Sequence, residues 1–245
     1  MIELKNIVKS YDENPLLDGV NLFVEKNTSM ALMGSSASGK TVLLKIITGL
    51  INPDSGRVII GGSEVIGAAR RELDFIREKI GMIFQSSALF DSMTVRENIG
   101  FALKRIPGMT PDVIGKKVRE AMDQVKLDDV EDLYPTQLSG GMKKRVGIAR
   151  AVVARPEILL ADEPAAGLDP STSRTIVKLL ARIVKDFKMT CVIVTTSLEI
   201  ASIAADKVAF LHKGKIETVT TPEEMASSKN EIARRFAMLS NTQKE

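Results

Sequence analysis

The amino-acid sequence predicts an α/β fold: a parallel-sheet core bearing a phosphate-binding loop, an N-terminal antiparallel β subdomain, and an inserted α-helical subdomain. Three observations predict it. Gly34-Ser35-Ser36-Ala37-Ser38-Gly39-Lys40-Thr41 fits G-x-x-x-x-G-K-[ST] at every fixed position, between the strand-like run 29–33 and the helical run 42–47. Ile158-Leu159-Leu160-Ala161-Asp162-Glu163 is a continuous apolar run ending in two carboxylates, the pattern of a central parallel strand whose carboxyl end faces a ligand. From Thr94 to about Ala154, helix signals replace strand signals.

Taken in order, residues 1–30 alternate short strand-like runs (2–4 and 20–24) around a polar turn at 12–15, which predicts antiparallel strands, with Tyr11 in the turn as a candidate platform for a purine ring. In the phosphate loop, two glycines let backbone N–H groups converge on phosphate oxygens, Lys40 adds a charge, and Thr41 offers a hydroxyl to Mg²⁺. The following helix stops near Gly49, a strand covers 57–60, a charged helix 68–79, and a buried strand 80–84 that ends at Gln85, a candidate Mg²⁺ or water ligand.

In the helical stretch, Thr94 and Glu97 form a capping box, and Thr110-Pro111 starts a helix with Ile114, Val118, Ala121 and Val125 on one face. Ser139 is read as an N-cap, leaving the N–H groups of Gly140 and Gly141 uncovered as a second anion-receiving point. Lys143, Lys144 and Arg145 are read as a solvated first-turn face rather than a nucleic-acid patch, because no aromatic lies among them. After 158–163, Asp162 is a candidate Mg²⁺ holder and Glu163 a candidate general base, pointing apart because successive strand residues alternate. Asp169 caps a long helix, 189–195 is the last core strand, and Ile232, Phe236 and Leu239 make a C-terminal stripe expected to dock on its own domain. His212, the only histidine, sits beside an exposed turn and is not read as catalytic.

The totals narrow the classes. The chain has 245 residues, 44% of them hydrophobic, and a formal net charge of +3 without a block of five like charges, so no nucleic-acid partner is expected. No apolar run reaches the roughly 18 residues of a membrane span, and the start lacks a signal-peptide core, which predicts a soluble, unexported chain. The single cysteine, Cys191, lies in an apolar run and is read as a buried hydrophobe.

In this order and spacing, the phosphate loop, Gln85, Leu138-Ser139-Gly140-Gly141, the run 158–163 and Asp169 resemble the ATP-binding subunits of ABC transporters over nearly the whole chain. The resemblance implies a P-loop NTPase of the ABC ATPase type with a RecA-like core: 1–90 and 155–215 as the α/β core with its β subdomain, 91–154 as the helical subdomain, 216–245 as a C-terminal extension. It implies that Tyr11 stacks on the adenine of ATP, that residues from Gly34 to Val42 wrap the phosphates, and that Gln85 senses Mg²⁺ and the permease. Asp162 would assist Mg²⁺, Glu163 would be the base, and Asp169 would communicate across a dimer. Ser139, Gly140 and Gly141 would close on the ATP of a second copy, head to tail.

The family pattern expects a switch histidine in a Val-Thr-His-Asp context, where this chain has Val194-Thr195-Thr196-Ser197. A hydroxyl at Thr196 is not a charged donor, so slower hydrolysis is expected. The run from Phe84 to Asn98, with Ala88-Leu89-Phe90-Asp91-Ser92-Met93-Thr94-Val95, is similar to the ATPases of Mla/Mce phospholipid-transport systems. It implies lipid transport through a separate permease with an Mce-type lipid-binding protein, at the cytoplasmic face of the inner membrane; another import-type system, such as one for amino acids, is the alternative, and a soluble non-transport ATPase a further one.

Overall fold

The computed structural model describes residues 1–12 and 14–242, with side chains described as far as residue 238, so Leu239 and residues 243–245 lie outside the description. Two sheets and a group of helices share the chain. β1 (Ile2–Tyr11), β2 (Asn14–Val24), β4 (Ser55–Ile60) and β5 (Ser63–Glu64) form an antiparallel sheet in the order β2-β1-β4-β5. β3 (Ser29–Met33), β6 (Ile80–Ile83), β7 (Ile158–Asp162), β8 (Thr190–Thr195), β9 (Lys207–His212) and β10 (Lys215–Thr220) form the second, in the order β10-β9-β3-β8-β7-β6. Every pair in it is parallel except β9 with β10.

The inner strands β3, β7 and β8 of the second sheet are buried on both faces, β10 at its edge is not, and residue alternation divides the sheet between two cores. Ala31, Met33, Leu159, Ala161, Cys191, Ile193 and Phe210 point to one, while Met30, Leu32, Ile158, Leu160, Val192, Val194 and Leu211 point to the other. The first core is closed by α3 (Val95–Gly100), α4 (Pro111–Gln124), α5 (Gly140–Val152), α6 (Pro170–Asp186), α7 (Leu198–Ala204) and α9 (Glu231–Thr242); α8 (Pro222–Met225) adds Met225. The second is closed by α1 (Lys40–Ile47), α2 (Arg70–Glu78) and the antiparallel sheet. Each fully buried Leu or Ile contributes roughly 1.5–3 kcal/mol, so the alternation fixes the register of both layers.

Local signals set the helix ends. α1 finishes in a Schellman motif: Gly49, at φ 66, donates to the Ile46 carbonyl and Leu50 to that of Lys45. Thr94 and Glu97 cap α3 reciprocally, Thr110 caps α4 ahead of Pro111, and Asp169 caps α6 ahead of Pro170. Of the C-terminal stripe, Phe236 docks on its own chain, its ring 5.1 Å from that of Phe210, whereas Ile232 is exposed; the residues α9 buries are Ala233 and Ala237, on the neighbouring face. No helix among the described residues is long and apolar enough to cross a membrane.

Candidate functional site

The carboxyl ends of β3, β7 and β8 bring Lys40, Thr41, Asp162, Glu163 and the Thr196 backbone together. β3 delivers the chain at Met33 into the loop, and α1 leaves it at Lys40. Gly34 is required by crowding, since a Cβ there would strike the Leu211 carbonyl oxygen and the Ser38 hydroxyl. Gly39 is required by conformation, being the N-cap of α1 at φ 99 with no side-chain cap. The first N–H groups of α1 thus open onto the loop formed by Ser35, Ser36, Ala37 and Ser38.

Lys40 is only 6% exposed. Its ammonium donates to the Gly34 carbonyl at 2.9 Å and the Ser35 carbonyl at 2.7 Å, so the charge is held by neutral acceptors of its own loop. Burial lowers its pKa, while Glu163 and Asp162 pull it back up. The Ser38 hydroxyl is buried without a hydrogen-bond partner, a donor aimed at nothing. A buried ammonium and an unsatisfied hydroxyl in one glycine-bounded cradle fit a polyanion.

Across the loop, the Thr41 hydroxyl donates to the Asp162 carboxylate at 3.1 Å. Among the described residues no group of three His, Cys, Asp or Glu side chains could hold a metal. Thr41 and Asp162 therefore fit Mg²⁺ only together with phosphate oxygens, the usual mode of that ion. The chain continues from Asp162 into Glu163, whose φ of 44 turns it out of the strand. Simple strand alternation is thus not what separates the two acids: the left-handed residue, an arrangement costing about 1–3 kcal/mol, redirects the second. Burial raises the Glu163 pKa, Lys40 lowers it, Asp162 raises it further, and Lys144 and the Thr196 backbone N–H lower it.

Thr196 itself is exposed and reaches Glu163 through its backbone, and Ser197 behind it caps α7. Gln85 is exposed in a turn just beyond β6. Tyr11 ends β1 rather than lying in the turn; it is 47% exposed, with the Lys9 ammonium 5.5 Å from its ring centroid. Val42 lies in α1 and is half-buried.

Ser139, Gly140 and Gly141 stand apart. Ser139 accepts from the Met142 N–H, and a Cβ on Gly140 or Gly141 would meet Leu168 or Thr172, at the start of α6. Among the described residues no hydrogen bond joins them to the phosphate loop. Asp169 accepts from the Ser171 hydroxyl at 2.7 Å and the Thr172 N–H at 3.0 Å, which holds its carboxyl below the usual range.

One expectation is overturned. Lys143, Lys144 and Arg145 do not form a solvated face: Lys144 is 7% exposed and donates to the Gln85 carbonyl, and Arg145 donates to the Val125 carbonyl at 2.6 Å. Lys144 shares a helix face with the buried Ile148 and Ala151, so its ammonium has to find partners inside.

The chain is similar to known proteins in sequence and fold. The family model described as ABC transporter matches residues 17–166. The chain is 39% identical over 229 residues to the methionine import ATP-binding protein MetN 1 of Rhodopseudomonas palustris, covering 93% of this chain and 61% of that one. It is 40% identical over 230 residues to the sulfate/thiosulfate import ATP-binding protein CysA of Bradyrhizobium diazoefficiens, covering 93% and 65%. The chain thus spans about three fifths to two thirds of the length of these relatives. Among solved structures, the ATP-binding cassette MJ0796, as a dimer bound to ADP and Pi, matches with a TM-score of 0.83 at 32% identity, covering 91% of this chain and 99% of that one. For cbiO1 of Clostridium perfringens, part of an ABC transporter complex, the TM-score is 0.84 at 27% identity, with coverage of 100% and 98%. On sequence and fold, the chain belongs to the ABC transporter family and has the fold of its ATPase domains.

Proposed function

We propose that this chain binds MgATP in the cradle of Gly34 to Thr41 and hydrolyses it to drive a separate membrane permease, two copies closing head to tail over two nucleotides. The observation that carries the reading is the meeting of Lys40, the Thr41–Asp162 pair and Glu163 at one end of the parallel strands. Lys40 would exchange its two loop carbonyls for phosphate oxygens, and Ser38 would gain its missing acceptor. Thr41 and Asp162 would orient Mg²⁺, directly or through water; when bound, the ion supplies positive charge to the phosphate oxygens. Glu163 would take a proton from the attacking water as its oxygen bonds to the γ-phosphorus and the bond to ADP breaks. Tyr11 offers a ring face to adenine, Gln85 stands where permease and site meet, and Asp169 lies beside the partner-facing Ser139.

The subdivision into a core of 1–90 and 155–215, a helical subdomain of 91–154 and a C-terminal extension is retained as part of this proposal, as is a peripheral position on the inner membrane. The relatives named above are import proteins for methionine and sulfate, which favours an import-type solute. Lipid transport with an Mce-type partner is the second reading, and it rests on the run from Phe84 to Asn98 alone; isolation with the permease from membranes, followed by identification of the companion chains and bound lipid, decides between them.

Steady-state ATP hydrolysis tests the chemistry. Glu163→Gln is expected to lower kcat about 10²–10⁴-fold with the ATP Kd within about twofold, and Thr196→His to raise kcat several-fold. A Glu163→Gln protein turning over at the parental rate refutes the base assignment, and an unchanged Thr196→His rate removes that position from the slow step.

A further inference from the structure

The helix that begins at Ser139 sends two cations back to its own chain. One turn into α5, Lys144 is buried and donates to the Gln85 carbonyl. Two turns further, Arg150 donates to the Ser87 carbonyl at 2.6 Å and the Ala88 carbonyl at 2.7 Å. Between them Gly147 lets the turn approach, since a Cβ there would already stand 3.4 Å from that of Ser87. The gripped turn needs holding: Ser87 and Ala88 both have left-handed backbones, at φ 64 and 45. Among the described residues Lys144 has no carboxylate within ion-pair distance, so its ammonium is held by the Gln85 carbonyl.

We propose that Lys144 is a positioning residue that holds the Gln85 turn of its own chain in register, from the same helix whose N-terminus meets the partner's nucleotide. The proposal rests on the ATPase reading above. Its consequence is that α5 serves two sites at once: Ser139, Gly140 and Gly141 face outward to a second copy, while Lys144 faces inward to the Gln85 turn. A shift of α5 on closure then reaches Gln85 without passing through the phosphate loop.

The experiment compares the parental full-length chain with Lys144→Met, Lys144→Gln and Lys144→Arg, measuring kcat, binding of a fluorescent ATP analogue, and amide hydrogen exchange at residues 86–89. Met and Gln should lower kcat about tenfold, leave nucleotide affinity within about twofold and quicken exchange; Arg should restore both kcat and slow exchange. A Met variant with the parental kcat or the parental exchange overturns the proposal, as does a loss of kcat that Arg fails to rescue or that is matched by an equal loss of nucleotide affinity, which marks a merely structural side chain. If the parental chain hydrolyses no ATP, the ATPase reading falls by itself; hydrogen exchange then judges the Lys144 anchor, and unchanged exchange in the Met variant overturns that too.

Discussion

Two helix N-termini in this molecule are assigned an anion in the proposed function, and they are prepared in opposite ways. At α1 there is no side-chain cap; Gly39 opens the turn, a buried ammonium waits on two carbonyls, and an unpartnered hydroxyl completes the cradle. At α5 the turn is capped by Ser139, and Ser139 and Gly140 are exposed. In the proposed function the first terminus, which carries its own charge, would hold a phosphate chain alone. The second has only backbone N–H groups and its cap, so it would gain an anion only when something outside the chain brings one. A half-site with charge and a half-site without it is the arrangement expected when closure, rather than binding, is the controlled step.

Substitutions can break this contrast. The largest expected effect is at the outward terminus: Ser139→Arg should lower turnover at least about 100-fold and abolish ATP-dependent dimers in sizing chromatography, with the ATP Kd of the monomer within about twofold. Equal loss of binding would mean that both termini belong to one chain's site. Next, Lys40→Ala should weaken the nucleotide by about 10- to 100-fold in calorimetry, the worth of a charge-assisted contact, and a smaller loss would shift the weight to the loop N–H groups. The smallest effects are on stability without nucleotide. Gly39→Ala, which needs φ 99 and places a Cβ 2.9 Å from Leu17 Cδ2, should lower Tm by about 2–8 °C. Gly140→Ala, inside a helix with a Cβ 3.3 Å from Leu168 Cδ2, should leave Tm within about 2 °C. Similar shifts at both glycines would show that the outward terminus is as tightly constrained as the inward one.

Much of the fold was legible because its signals are local or periodic. The apolar runs at 29–33, 158–162 and 190–195 are parallel strands buried on both faces, and the caps at Thr94, Thr110, Ser139 and Asp169 all form. Harder to read were features that depend on which chain segment passes nearby. Lys144 sits on a helix with buried residues on most sides, so no single stripe marks its face as interior. The left-handed backbones at Glu163, Ser87 and Ala88 occur without glycine and carry no sequence mark. The Lys9 ammonium, which also lies over the Tyr11 ring two residues along β1, makes a 2.7 Å contact with Asp54 that joins segments 45 residues apart in the chain.

The lone cysteine gives the molecule an experimental property. Cys191 is buried in β8, where burial pushes its thiol pKa up to about 12, so it stays protonated and unreactive at neutral pH. The surface is in effect thiol-free, and cysteines introduced at exposed Ser36 and Ser139 would be the only ones able to react. Two singly substituted copies, mixed with nucleotide and a bifunctional crosslinker, would then record directly how often one chain's loop meets the other's helix.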